Sequence, residues 1–262
     1  MSALQVVLAV ASGGVVGFAL GLIGGGGSIL AVPLMLYVVG LRNPHVVIGS
    51  SALAVAVNAF FNLFPHWRAG HVRWGTAVEF ALPGAAGAVL GSEIGKAVNG
   101  QALLFFFALL MLVIAATMLR RPQPSRIPER AHPERVVPTG FLTGALSGFF
   151  GIGGGFLIVP GLMFSAGLPM IWAVGTSLVS VGTFGLATAV NYALAGLVNW
   201  GAVGAYLVGG AGGGWAGSRL ASRLGAQRGT LTEVFAATIV VVALYMLYLN
   251  GKALHLIPPG TV

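Results

Sequence analysis

Two runs of glycine constrain the fold most, because each interrupts apolar sequence that is otherwise long enough to cross a bilayer. The first run is Gly24–Gly27, followed by Ser28, and the second is residues 151–155, with glycine at four of five positions. A short apolar stretch with a proline follows each run, at Pro33 and Pro160. Glycine is unfavourable inside a helix, and unwound backbone is tolerated in a membrane only where protein or a wet cavity surrounds it. The runs therefore predict two broken helices, a pattern typical of transporters whose site lies between two halves.

Composition indicates that the bilayer is the solvent for this chain. Its 262 residues are 57% hydrophobic and 7% charged, whereas a soluble domain carries about 25% charged residues. A protein core cannot hold so much apolar sequence. The chain has no cysteine, which excludes disulfides and thiolate metal sites. Residues 1–27 contain no Lys or Arg, so we expect no signal peptide.

The hydropathy pattern predicts an all-α polytopic membrane protein of about ten segments, since the alternation of barrel strands is absent. The predicted segments are 3–23, 28–40, 45–65, 74–97 and 101–119, then 137–150, 155–167, 171–192, 200–222 and 229–250. The pieces 28–40 and 155–167 are short for a crossing of about 20 residues. We interpret each as a half-helix that follows a glycine break.

The two halves of the chain repeat each other. Residues 21–27 align with 148–154, 48–51 with 174–177, and 69–75 with 195–201. Further along, Gly84, Gly87 and Gly91 fall on Gly210, Gly213 and Gly217. Blocks in one order predict a duplicated unit. The predicted domains are a first membrane repeat at 1–120, a loop at 121–136 and a second repeat at 137–252.

Charge predicts that the second repeat is inverted. The connecting loop is rich in arginine, which places it in the cytoplasm, and its prolines predict that it is not helical. These residues are Arg120, Arg121, Arg126, Arg130 and Arg135, with Pro122, Pro124, Pro128, Pro133 and Pro138. Loop 66–73 carries Arg68 and Arg73, whereas its counterpart 192–199 is uncharged. Opposite charge bias in equivalent loops is expected of inverted repeats, and five segments per half would place both termini outside the cytoplasm.

The duplicated glycine motifs are similar to those of the sulfite exporter TauE/SafE family of membrane permeases. The resemblance rests on residues 22–27 with Pro33, on residues 150–155 with Pro160, and on Gly-Ser-Ser and Gly-Thr-Ser blocks at 49–51 and 175–177. It implies transport of a sulfur-containing anion such as sulfite, thiosulfate or a sulfonate across the cell inner membrane. Direction, coupling ion, exact anion and oligomeric state stay open. Ser28 stands where the second copy has Gly155, so the copies are not chemically equivalent.

The glycine runs are the main candidate site. A helix that begins after a break leaves N–H groups unpaired, and its dipole favours an anion there without Lys or Arg. The predicted substrate-binding backbone is Gly25, Gly26, Gly27 and Ser28 in the first copy, and Gly153, Gly154 and Gly155 in the second. Close helix packing is the alternative, and we favour it for scattered glycines such as Gly84, Gly87, Gly209 and Gly213.

Polar side chains on the following segments complete the predicted site. The residues that would contribute a hydroxyl are Ser50, Ser51, Thr176 and Ser177, and those that would contribute an amide are Asn58 and Asn62. The two amides and His66 are spaced to lie on one helix face. These side chains suit sulfite or sulfonate oxygens, or equally hydrogen bonds between helices.

Glu79 is the best intramembrane carboxylate and hence the predicted proton carrier, if a proton is carried. The interpretation we favour for Glu79 is an ion pair with Arg68 or Arg73 near the cytoplasmic face. The repeat offers no support for a carrier, since its counterpart is Ala205.

A secondary transporter of small anions is favoured over other classes. A passive anion channel is the main alternative. An intramembrane serine hydrolase, with Ser28 as nucleophile and His66 as base, lacks a Gly-x-Ser-x-Gly elbow. The net charge of +8 follows from loops beside membrane segments and does not indicate nucleic-acid binding. We therefore predict no enzyme activity, no cofactor and no metal site, with the anion and the lipid bilayer as partners.

Overall fold

The computed structural model describes residues 1–120, 132–150, 155–224 and 230–253, and all regular structure in these ranges is helical. The helices are α1 Ala3–Ile23, α2 Ala31–Pro33, α3 Pro44–Arg68, α4 Trp74–Ala97, α5 Gly100–Arg120, α6 Pro133–Phe150, α7 Gly155–Ser165, α8 Met170–Leu194, α9 Trp200–Leu224 and α10 Thr230–Ala253. A 3₁₀ segment, Gly24–Leu30, joins α1 to α2, and a π-helical segment, Leu34–Val38, follows α2. The prediction of an all-α chain is confirmed.

Five helical stretches in the described ranges are long and apolar enough to cross a membrane. They are Ala3–Val38, Pro44–Arg68, Trp74–Ala97, Ala102–Leu119 and Met170–Leu194. Each exceeds or approaches the roughly 20 residues that span the hydrocarbon core. The chain is therefore a multi-pass membrane protein, and the count of ten segments stays a prediction.

Helix α6 differs from its predicted bounds. It begins at Pro133 and contains Pro138, so residues 133–136 are helical and our prediction that these two prolines exclude helix is wrong. Proline is well suited to the first helical position, and Pro138 removes a single hydrogen bond near the start of the helix. The extensive contact of α6 with α4 stabilises the helix despite that loss. Residues 121–131 of the predicted loop lie outside the described residues.

Five helix pairs account for most of the packing: α1 with α9, α4 with α6, α3 with α8, α4 with α8, and α5 with α10. Along α1, Gly13 and Gly17 face Tyr206 and Gly210 of α9, so these two helices run parallel. Residues 87–95 of α4 likewise ascend with 141–149 of α6. In the central pair, Gly182 faces Phe60 and Gly185 faces Ala56, so α3 and α8 are antiparallel.

Glycines at the helix interfaces allow backbones to touch. A Cβ atom at Gly84 or Gly87 would overlap the backbone of α6, and one at Gly209 or Gly213 would overlap the backbone of α1. Small residues serve this purpose at membrane helix interfaces, where lipid supplies no hydrophobic drive for association. The packing interpretation of these scattered glycines is confirmed.

The ends of α3 follow from local sequence. Asn43 caps the helix by accepting hydrogen bonds from the N–H groups of His45 and Val46, and Pro44 occupies the first turn, where its missing N–H costs nothing. The cap fixes where α3 starts and hence which of its later residues share the buried face.

Candidate functional site

Gly24 reverses the chain at the end of α1. Its φ of 62° and ψ of −140° lie in a region that favours glycine. The returning 3₁₀ segment then packs so tightly on α1 that a Cβ atom at Gly27 would overlap the backbone of Ala19 and Leu20. The first glycine run therefore forms a hairpin with the helix that precedes it.

The first run breaks the α-helix, as the sequence predicts, but its backbone is 3₁₀-helical and not unwound. Gly24–Leu30 keeps 3₁₀ hydrogen bonds, and the N–H of Ala31 continues the series by donating to the carbonyl of Ser28. Backbone groups in an apolar interior need internal partners, and the 3₁₀ form provides them while the chain bends.

Gly25 and Gly155 bring the two glycine runs into backbone contact. A Cβ atom on either residue would overlap the backbone of the other, and both residues are buried. Two parts of one predicted site are thus adjacent. Gly153 and Gly154, also predicted for this site, lie outside the described residues.

Ser177 of α8 forms hydrogen bonds at the place where the two glycine runs meet. Its Oγ accepts a hydrogen bond from the N–H of Gly25 at 3.1 Å and donates one to the carbonyl of Val174 at 2.7 Å. Within the first run, Ser28 Oγ donates to the carbonyl of Gly25 at 2.8 Å. An N–H that we predicted to face an anion therefore has a hydroxyl acceptor from the other half of the chain. We name the group of Gly25, Ser28, Gly155 and Ser177 the glycine junction.

The hydroxyls of Ser50 and Thr176 bond to loops. Ser50 Oγ accepts from the N–H of Asn199 at 2.8 Å, and Thr176 Oγ1 accepts from the N–H of Arg73 at 3.1 Å. Asn199 and Arg73 directly precede α9 and α4, and the two bonds are equivalent under the sequence repeat. Ser51 donates to the carbonyl of Ile48 at 3.0 Å. A role in substrate binding stays a prediction for Ser50, Ser51 and Thr176.

Asn58, Asn62 and His66 form one buried face of α3, here called the polar stripe. They point at the glycines where α1 and α9 meet: a Cβ atom at Gly210 would overlap the Asn58 amide, and one at Gly214 would overlap Asn62. At the end of the stripe, His66 Nε2 lies 2.8 Å from the carbonyl oxygen of Gly21. The helical spacing expected from the sequence is therefore realised, and it places the stripe beside the turn at the end of α1.

Several polar atoms of the stripe are buried without a hydrogen-bond partner in the described part of the chain. They are Nδ2 and Oδ1 of Asn58, Oδ1 of Asn62 and Nδ1 of His66. The one internal bond runs from Asn62 Nδ2 to the carbonyl of Asn58 at 2.8 Å. Each unpaired buried polar group costs about 1–3 kcal/mol. A row of them on one helix face is unusual in a folded protein and favours a polar occupant.

A surface cleft of about 450 Å³ between α3 and α9 reaches the polar stripe at Asn62. Its lining residues are Phe61, Asn62, Phe64, Pro65, Arg68, Ala211 and Trp215. The cleft thus connects a buried amide to the outer surface beside a cation. The Arg68 guanidinium lies over the Phe64 ring, 5.5 Å from its centroid.

Glu79 does not form the ion pair that we favoured. Ion pairs in the described ranges join Lys96 with Glu93 and His132 with Glu134. Arg68 and Arg73 instead lie over aromatic rings, Arg73 being 5.3 Å from the Trp172 centroid. Glu79 is half-buried, and its role as a proton carrier stays a prediction.

The residues of the serine hydrolase alternative are not paired. Ser28 Oγ bonds to the carbonyl of Gly25, and His66 Nε2 bonds to that of Gly21, so nucleophile and base do not share a hydrogen bond. Catalysis of that kind requires the two groups to be within hydrogen-bond reach.

One polar network was missed by sequence reasoning. Lys96 Nζ donates to Asn191 Oδ1 at 2.7 Å and to Glu93 Oε1 at 3.0 Å, while Asn191 Nδ2 donates to Ser92 Oγ at 2.6 Å. It ties the end of α4 to the end of α8. The available signal was the spacing of Glu93 and Lys96, which places them on one helix face.

Relatives are found along nearly the whole chain. Residues 9–246 match the family described as Sulfite exporter TauE/SafE. A Xylella fastidiosa (strain Temecula1) protein named "Probable membrane transporter protein" is 49% identical over 261 residues, covering 97% of this chain and 99% of the relative. A Bacillus subtilis protein named "Probable membrane transporter protein YunE" is 24% identical, covering 90% and 94%. No solved structure matches the chain significantly.

Proposed function

The chain belongs to the sulfite exporter TauE/SafE family, and on this premise we propose that it is a secondary transporter of a small sulfur-containing anion. Sulfite, thiosulfate and sulfonates are the candidate substrates, and alternating access is the mechanism. The relatives named as membrane transporters support the general activity. The two glycine runs meet at the backbone contact of Gly25 with Gly155, and this contact is the observation that supports a binding site there.

We further propose ten membrane segments arranged as two inverted five-segment repeats. Helix packing supports this topology, because the pairs α1–α9 and α4–α6 exchange under the repeat, while α3 and α8 pair with each other in antiparallel fashion. A helix and its copy run antiparallel when the second repeat is inverted. In this arrangement the Arg-rich loop 121–136 is cytoplasmic and both termini are extracytoplasmic.

The glycine junction supplies the donors for an anion. The N–H of Gly25 already bonds to an oxygen, that of Ser177. A sulfite or sulfonate oxygen can take that acceptor position, with the Ser177 hydroxyl turned to donate to the anion. We propose that the N–H groups of Gly26, Gly27, Gly153, Gly154 and Gly155 and the hydroxyls of Ser50, Ser51 and Thr176 complete the site when the junction opens, because several of them bond within the protein in this structure. Each helix end is worth about 0.3–2 kcal/mol, so the affinity is weak and release is fast.

Transport then requires the glycine junction to open. Gly25 and Gly155 touch in this structure, so the anion enters as the two halves separate on one side. Rocking of one repeat against the other exposes the site alternately to the two faces of the membrane. A passive channel would instead need a continuous path through the junction.

Purified protein screened for thermal stabilisation by sulfite, thiosulfate, sulfonates and carboxylates tests the substrate class. We expect stabilisation by the sulfur oxyanions, and its loss in Gly27→Val, because the new side chain would overlap α1. Gly212→Val is the matched control, since a Cβ atom there meets nothing within 4 Å. Stabilisation by no sulfur oxyanion, or full stabilisation of Gly27→Val, would contradict the proposed site.

A further inference from the structure

We propose that His66 binds a proton that travels with the anion, and that the protonated ring forms an anion site beside the Asn62 amide. This inference rests on the proposed transport function and deepens it, because it assigns the coupling ion and a substrate-binding cation. The substrate that such a site favours is a small oxyanion with one negative charge.

The geometry around His66 defines where the proton binds. The side chain is 1% exposed, and Nε2 is 2.8 Å from the carbonyl oxygen of Gly21. A carbonyl only accepts, so in the neutral ring Nε2 carries the hydrogen and Nδ1 is the bare acceptor. Nδ1 has no hydrogen-bond partner in the described ranges, which leaves it ready to take a proton.

Protonation of His66 needs an anion from outside the protein. All five acidic residues are glutamates, at positions 79, 93, 129, 134 and 233, and none lies on α1, α3 or α9. A buried cation without a counter-ion is costly. The anion therefore favours binding of the proton, and by reciprocal linkage the bound proton strengthens binding of the anion by the same factor, which couples the two.

The other charged or titratable groups near His66 are basic. His71 is the nearest, with ring centroids 5.9 Å apart, and burial lowers the pKa of His71, which keeps that ring neutral at neutral pH. Arg68 and Arg73 lie over Phe64 and Trp172. Of the packed elements, α1, the segment 24–38 and the facing part of α8 carry no charged side chain, and on α9 Arg219 lies over Trp215 while Arg223 is exposed. This surrounding disfavours a bare imidazolium and favours one paired with an anion.

The polar stripe supplies the remaining donors and the route. Asn58 lies eight residues, or about 12 Å of helix rise, before His66, and its Nδ2 has no partner in the part of the chain described, so it can donate to an anion on the way to the protonated ring. The cleft between α3 and α9 reaches Asn62, one helical turn from His66. His66 also touches Gly21, three residues before the chain reversal at Gly24. Proton binding is therefore placed next to the segment that must move when the glycine junction opens.

Proton uptake on anion binding tests the proposal with unmodified protein. Purified full-length protein in weak buffer at about pH 7.5 receives methanesulfonate, which keeps one negative charge in this range, while calorimetry measures binding and an indicator dye measures protons. We expect uptake of about one proton per anion bound, and an affinity that weakens about tenfold per pH unit above the pKa of the site. Binding with no proton uptake overturns the assignment of His66 and leaves the proposed function standing.

The variant His66→Gln isolates the residue, and His71→Gln is its matched control on the adjacent loop. We expect His66→Gln to bind anions at least about tenfold more weakly at pH near 6 and with no dependence on pH, whereas His71→Gln keeps the wild-type profile. An unchanged pH profile in His66→Gln overturns the proposal. If His66→Gln does not fold, the proton uptake of the wild type decides alone. Failure of every anion to bind the wild type overturns the proposed function as well.

Discussion

The polar stripe on α3 and its repeat counterpart on α8 occupy equivalent places and differ in chemistry. Asn58, Asn62 and His66 correspond to Phe184, Thr188 and Tyr192. Both faces meet interface glycines, since Gly210 faces Asn58 and Gly84 faces Phe184. Phe184 stacks on Phe80 with centroids 6.2 Å apart, whereas the Asn58 amide has no partner in the described ranges.

The two repeats therefore share their backbone packing but differ in the chemistry of the side chains at equivalent positions. On α8, Thr188 and Tyr192 also bury hydroxyls without described partners, but neither group changes charge near neutral pH. The stripe on α3 has amides and an imidazole in the same positions. The face on α8 therefore has an aromatic contact where the face on α3 has amides and an imidazole, and this chemistry on α3 suits the anion and the proton proposed above.

Valine at an interface glycine should have the largest effect, and it should be equal in the two halves. Gly17→Val overlaps Gly210, and its counterpart Gly144→Val overlaps Gly84. Backbone cannot move aside as a side chain can, so we expect each change to destabilise by about 3 kcal/mol or more. The yield of monodisperse protein measures this, with Gly212→Val as the tolerated control. Tolerance of one variant and loss of the other would show that the two interfaces are not equivalent.

Exchange of chemistry between the two faces should have opposite effects on stability. Asn58→Leu keeps the side-chain shape and removes unpaired polar atoms, so we expect stabilisation by about 1–3 kcal/mol together with loss of transport. Phe184→Asn removes a buried aromatic contact and should cost about 3–5 kcal/mol. Thermal unfolding and uptake in proteoliposomes measure the two properties. A destabilised Asn58→Leu variant that still transports would contradict a functional role for the stripe.

Removal of the hydroxyl should have different effects at Ser177 and at Ser51, which are equivalent positions in the two repeats. Ser177→Ala loses the bond to the Gly25 N–H, and we expect a cost of about 1 kcal/mol and weaker anion binding. Among the described residues, Ser51 bonds to the carbonyl of Ile48 within its own helix, and we expect Ser51→Ala to change stability less. Thermal stability with and without sulfite tests both variants. Equal effects would mean that Ser177 is not special to the glycine junction.

Glutamine at position 79 should have the smallest effect, and it separates the two candidate proton carriers. If His66 carries the proton, Glu79→Gln keeps uphill, pH-dependent transport within about twofold of the wild type. Loss of proton-dependent accumulation in this variant, with retained protein yield, would return the role to Glu79. Arg68→Ala serves as a charge control and should alter anion binding little, because Arg68 lies over Phe64 at the surface.

Hydropathy and repeated glycine blocks are sufficient to predict the all-helical fold and the packing role of the scattered glycines. The same sequence does not predict the turn at Gly24, because consecutive glycines allow many backbone angles and packing on α1 selects among them. It also misses the partners of Ser50 and Thr176, which lie on loops of the other half. For Glu79, the nearby charges in the sequence predicted an ion pair with Arg68 or Arg73, but both arginines lie over aromatic rings. Long-range side-chain partners depend on tertiary packing, which local patterns do not encode.

Uptake of radiolabelled sulfite into proteoliposomes measures secondary transport of a sulfur oxyanion. We predict saturable uptake that accumulates the anion against its gradient when protons flow inward, and that is lost in Gly27→Val but kept in Gly212→Val. Flux that rises linearly with concentration and never exceeds equilibration would indicate a passive channel. Absence of uptake for sulfite, thiosulfate and sulfonates alike would contradict the proposed substrate class.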